Sequence, residues 1–119
     1  MTFRDIIENM NKKYSAVASG ALVGSDGLIV EEWRPPENSK DLSALCAEVA
    51  QFFRESGRIA LENGLGEGLE VFLAGDRGCI FIHHVADGYF LAVATSSDII
   101  HGKCRFLLRQ AVRLAREIL

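Results

Sequence analysis

The chain has 119 residues, 49% hydrophobic and 24% charged, with a formal net charge of −3. That is one domain, 1–119, long enough to bury a core without disulfide or metal staples. The acidic balance excludes a general nucleic-acid binder, which needs a basic face against phosphates, and no apolar run approaches the roughly 20 residues of a membrane-spanning helix, so no stable membrane insertion is expected.

Phe3, Ile6, Ile7 and Met10 fall at i, i+3, i+4 and i+7, which predicts a short amphipathic helix with Asp5 and Glu8 off its stripe. The charges in this segment also argue against a secretory signal. Val17–Val23 and Leu28–Trp33 read as strands joined by Gly24-Ser25-Asp26-Gly27, whose Asp-Gly pair signals a hairpin. Arg34-Pro35-Pro36-Glu37 breaks the second strand, because neither proline donates to a ladder. Asn38 or Ser39 is placed to cap a long helix, with Asp41 in its first turn, running to Asn63 and stopping in the glycine cluster that follows.

That helix carries more apolar surface than one contact needs. Leu42, Leu45, Val49, Phe52 and Ile59 follow helical spacing, and Cys46, Ala50, Phe53, Gly57 and Leu61 add a flanking stripe. Two buried sides are expected, one against the chain's own sheet and one against something else. Three short strands follow, Glu70–Ala74, Cys79–Val85 and Tyr89–Ala94, separated by Gly75-Asp76-Arg77-Gly78 and Asp87-Gly88. A last helix is expected from Ser97 or Asp98 to Leu119, with Ile100, Cys104, Leu107, Leu108, Ala111, Leu114, Ala115 and Ile118 on its apolar face. The order αββαβββα, with tight turns between strands, gives an α+β sandwich: one antiparallel sheet with helices on both faces.

His83 and His84 are the residues that most invite a chemical role. Successive strand side chains point to opposite faces, so the pair cannot hold one metal. Cys79 shares a face with His83 but sits roughly 13 Å away, far beyond a zinc coordination sphere. His101 and Cys104 supply only two ligands. The three cysteines form no C-x-x-C pair, which fits a reducing, cytoplasmic setting. Ser96, Ser97, Asp98 and His83 lack the strand-Ser-helix elbow of a hydrolase, and His101-Gly102-Lys103 lacks a phosphate loop. No catalytic residue, metal or cofactor is expected, and the function reads as recognition.

The segments ALVGSDGLIVEE, LSALCAEVAQFFRESGRIALENGLGEGLEVFLAGDRGCIFI and GYFLAVATSSDIIHGKCRFLLRQAVRLAREIL, in that order, resemble the Roadblock/dynein light chain family, including its bacterial mutual gliding-motility protein B type. The likeness runs from about Val17 to Leu119. It implies a five-stranded antiparallel sheet with one long helix on one face and the two terminal helices on the other. It implies a homodimer in which long helices pair and third strands join the sheets. It also implies a Ras-like small GTPase docked on the paired helices, with GTP hydrolysis stimulated through the GTPase's own groups. Dynein-type members are scaffolds without that effect.

On this reading Cys46, Ala50, Phe53, Gly57 and Leu61, with Val71 and Leu73 from the open strand edge, lie at or near the dimer interface. The third side of the helix, Ala47, Gln51, Arg54, Arg58 and Glu62, is the expected partner-binding face. Arginine suits that role because its planar fork binds carboxylates and stacks on aromatics. The alternatives are a passive scaffold subunit and a PAS/GAF-like small-molecule sensor, the last disfavoured by strands filled with large apolar residues. Arg105, Arg109, Arg113 and Arg116 form a stripe on the last helix, expected as a solvated face paired with Asp5 and Glu8.

Overall fold

The computed structural model describes residues 1–38 and 41–119. Eight elements follow one another: α1 (Phe3–Lys13), β1 (Val17–Gly24), β2 (Ile29–Trp33), α2 (Ser43–Glu62), β3 (Glu70–Ala74), β4 (Cys79–Ala86), β5 (Tyr89–Thr95) and α3 (His101–Ile118). The five strands form one antiparallel sheet in the order β2-β1-β5-β4-β3. This is the expected αββαβββα sandwich, with β1, β5 and β4 in the middle.

Strand alternation divides the core in two. Val17, Leu22, Phe81, Val85, Leu91 and Val93 face α1 and α3, where they meet Ile7, Met10, Leu108 and Val112. Ala21, Val23, Ile80, Ile82, Phe90 and Ala92 face α2 and meet Leu42, Cys46, Val49 and Ala50. Each large side chain buried in these layers contributes roughly 1.5–3 kcal/mol. The side under the terminal helices is the larger and holds Phe3, Phe81 and Leu108 with almost no exposure.

Local chemistry sets most of the boundaries. Thr2 and Asp5 make a reciprocal capping box at the start of α1. In the first hairpin the Leu28 N–H donates to Asp26 Oδ1 at 3.0 Å, and Gly27 takes a φ of 88°, a conformation that favours glycine.

Both longer helices begin later than the sequence suggests. Asn38 does not cap α2; its N–H closes a turn onto the Pro35 carbonyl, and Ser39 lies outside the described residues. The N-cap is Leu42, which offers no side-chain acceptor, and Asp41 takes the Ser43 N–H at 2.8 Å instead. Ser97 and Asp98 likewise precede α3 without capping it. The N-cap there is Ile100, whose N–H donates to the Tyr14 hydroxyl at 2.7 Å, a partner 86 residues away.

Candidate functional site

The long helix α2 packs on the sheet through its buried residues Cys46, Val49 and Ala50. Small residues face the sheet. Cys46 and Ala50, expected at or near an interface, are 1% exposed within the single chain and belong to its own core. Phe53 is half-buried, its ring 5.3 Å from that of Phe90. Gly57 sits over the loop leading to β3, so close that a Cβ added to Gly68 would lie 2.9 Å from the Gly57 Cα.

Phe52 and Ile59, read from the sequence with the sheet-facing set, are exposed on a flank of the helix, and Leu45 on that flank is half-buried. The reason is steric. Cys46 and Ala50 let the helix approach the strands, with Leu42 and Val49 beside them in the core, and Phe52 and Ile59 are turned outward. Of the residues expected at the interface, Leu61 (65% exposed) and Leu73 (54% exposed) remain open, and Val71 is half-buried. β3, which carries Val71 and Leu73, pairs only with β4 and forms one edge of the sheet.

Ala47, Gln51, Arg54, Arg58 and Glu62 are all exposed along α2. Arg54 Nη1 donates to the Ser25 carbonyl in the β1–β2 turn, which fixes this flank toward that hairpin. Arg58 binds Glu55 and Glu62 on its own helix. The hydrogen bonds from Arg58 hold the Glu55 carboxyl below the usual carboxylate range, and the same contacts raise the Arg58 guanidinium. Both arginines are therefore positioned, and two glutamates offset much of Arg58's charge.

Beside this flank lies an open cleft of about 570 Å³ whose lining includes Phe53, Arg54, Leu61, His84, Tyr89 and Phe90. It lies between the C-terminal half of α2 and the turns at one end of the sheet. Its floor is aromatic and its rim is charged, the usual composition of a recognition cleft.

The two histidines do point to opposite sides. His83 is buried near α3, its Nδ1 2.7 Å from the His84 carbonyl oxygen and its Nε2 4.0 Å from Glu70. His84 faces the cleft, with Nε2 3.5 Å from Glu67 Oε1 and Asp87 close by. Sequence spacing weighed His84 only against His83 and the cysteines. The carboxylates come from the loop before β3 and from the β4–β5 turn, and no local pattern joins them. His101 packs edge-on against Phe72 and Phe81, with ring centroids 4.1 and 5.2 Å away. All three cysteines are free, and burial pushes the Cys46 and Cys104 thiols up to about 11. Neither is a nucleophile at neutral pH.

The arginines of α3 do not pair with α1. Asp5 is engaged with Thr2, and Glu8 pairs with Lys12. The acidic centre is Glu70, which takes Arg105 at 2.8 and 3.4 Å and Arg109 at 3.9 Å. Arg116 Nε donates to the Val85 carbonyl at 2.7 Å. Among the described residues no helix is long and apolar enough to cross a membrane.

No protein-family model and no curated protein sequence matches the chain. Solved structures do match. The gliding protein MglB from Thermus thermophilus superposes with a TM-score of 0.87 at 15% identity, over 98% of this chain and 87% of that one. A Roadblock/LC7 domain from Streptomyces avermitilis gives 0.85 at 15% identity, over 97% and 95%. MglC from Myxococcus xanthus gives 0.70 at 24% identity, over the full length of both chains. The chain thus has the fold of the Roadblock/LC7 and MglB structures.

Proposed function

We propose that this chain is a regulatory or adaptor subunit without catalytic groups of its own, acting as a homodimer that docks a Ras-like small GTPase on the outward side of α2. The observation that carries the reading is the apolar surface left uncovered by the fold. Phe52 and Ile59 on α2, and Leu73 on the unpaired edge of β3, are large hydrophobic groups facing solvent. A second copy meeting these surfaces covers the helix flank and extends the sheet in one step. This assigns the interface to Phe52, Ile59, Val71 and Leu73 and leaves Cys46 and Ala50 inside each subunit.

The partner face is Ala47, Gln51, Arg54, Arg58 and Glu62, brought side by side from two subunits. Arg54 and Arg58 are held by Ser25, Glu55 and Glu62, so little side-chain entropy is lost when they contact a partner. The resemblance to Roadblock proteins supports a GTPase as that partner. A stimulating role and a scaffolding role differ in one measurable quantity, GTP turnover by the partner.

The test is the double variant Arg54→Glu, Arg58→Glu, measured for dimer mass, binding of the cognate GTP-loaded GTPase, and hydrolysis rate. The expected result is an intact dimer with binding weakened by at least about tenfold. Undiminished binding would move the site to another face. Binding by the unaltered chain without faster hydrolysis would identify a scaffold.

A further inference from the structure

We propose that His84, Glu67 and Asp87 form a binding site for a divalent transition-metal ion, zinc by preference, at the mouth of the α2 cleft. The three side chains come from three separate segments: β4, the loop after α2, and the β4–β5 turn. One ligand atom from each lies within 4.8 Å of the other two. The His84 Nε2 to Glu67 Oε1 separation is 3.5 Å. Zinc bonds of about 2.0–2.2 Å at tetrahedral angles place neighbouring donors about 3.3–3.5 Å apart, so this pair already spans one edge of a zinc site.

The donor set also fits. A neutral imidazole and two carboxylates carry two negative charges against a 2+ ion. The imidazole favours zinc and its neighbours in the transition series over magnesium or calcium. His84 is the half-buried member, its side chain 22% exposed, so its ring is held by packing while the carboxylates remain free to close on an ion.

The backbone holds the segments in place. The His84 N–H donates to the Leu69 carbonyl at 2.8 Å, tying the loop that carries Glu67 to the strand that carries His84. The Ser25 N–H donates to the Gly88 carbonyl at 2.8 Å, bracing the turn that carries Asp87. A register shift between His84 and Ala86 interrupts the ladder just before that turn. Three protein ligands leave a fourth position for water or for an oxygen donor arriving through the cleft, which Arg54 and Arg58 also line. The site does not depend on the GTPase reading.

The full chain, freed of metal by chelator, is titrated with zinc chloride in a calorimeter, and its cobalt(II) complex is read by electronic absorption. One ion per chain is expected, with a tetrahedral cobalt spectrum free of thiolate charge transfer. A hundredfold excess over Kd should raise the unfolding temperature by roughly ten degrees. His84→Gln, and separately Glu67→Gln with Asp87→Asn, should each weaken binding by more than about tenfold. His101→Gln should bind as the unaltered chain does. The carboxylate pair is exposed, so its amide variant folds even if the histidine variant does not. Absence of saturable binding, a thiolate band, or full affinity in the amide variant would each overturn the proposal.

Discussion

Gly57 and Gly68 touch, yet alanine at the two positions should have opposite effects. Gly57 lies inside α2, and a Cβ built on it meets nothing within 4 Å. Alanine there removes the entropy cost of a mid-helix glycine, a gain of about 0.5–1 kcal/mol. Gly68 lies in the loop beneath the helix. A Cβ on it would stand 2.9 Å from the Gly57 Cα and 3.6 Å from its nitrogen, backbone atoms that cannot rotate aside. Helix and loop must separate, a distortion of the kind that costs about 1–3 kcal/mol. Unfolding entropy of roughly 2.1 cal/mol/K per residue makes 1 kcal/mol worth about 4 °C in a chain of this length. Gly57→Ala should therefore melt about 2–4 °C higher, and Gly68→Ala about 4–12 °C lower. Circular dichroism at one fixed protein concentration measures both, since the melting point of a dimer moves with concentration. A Gly68→Ala chain as stable as its parent would refute the close packing of loop on helix. A destabilised Gly57→Ala chain would show that a second molecule covers that part of α2.

The interface assignment predicts that the parent chain scatters light as twice 13.1 kDa at micromolar concentration, and that Phe52→Glu with Leu73→Glu scatters as a folded monomer. A persistent dimer in that variant would place the contact elsewhere. Acid should act through the helix starts. Hydrogen bonds from Thr2 to Asp5, and from Ser43 to Asp41, hold both carboxyls below the ordinary value of 3.8. Because the folded-state values are depressed, the stabilisation is complete above 3.8 and is lost as pH falls through the lowered values. Urea unfolding across the acid range should show a shallower loss in Asp5→Asn than in the parent, and equal slopes would remove Asp5 from the account.

What the sequence revealed, and what it hid, divides by distance along the chain. The Asp26-Gly27 turn was legible because its chemistry is local: a carboxylate reaching an N–H two residues on, and a glycine at positive φ. The strands and the element order followed for the same reason. The start of α3 was not legible, since the Tyr14 hydroxyl accepts the first N–H from the far end of the chain, and Ser97 looked the better cap. The facing of α2 was hidden differently. Both apolar arcs satisfy helical spacing, but small Cys46 and Ala50 pack on the sheet at close range, whereas Phe52 and Ile59 stay exposed. Periodicity counts apolar positions without weighing volume, so it does not show that Leu42 and Val49 join Cys46 and Ala50 in the core while Phe52 and Ile59, on the same arc, face outward. The charged groups follow the first rule. Arg105 finds Glu70, 35 residues away, in preference to the acids of α1, and His84 finds Glu67 and Asp87 through a bulged strand end. The same cause therefore underlies the misplaced helix start, the reassigned arginines and the unforeseen cluster of His84, Glu67 and Asp87. Each depends on a contact made only after the sheet has brought distant segments together, so the chemistry of this chain concentrates where local pattern carries least information.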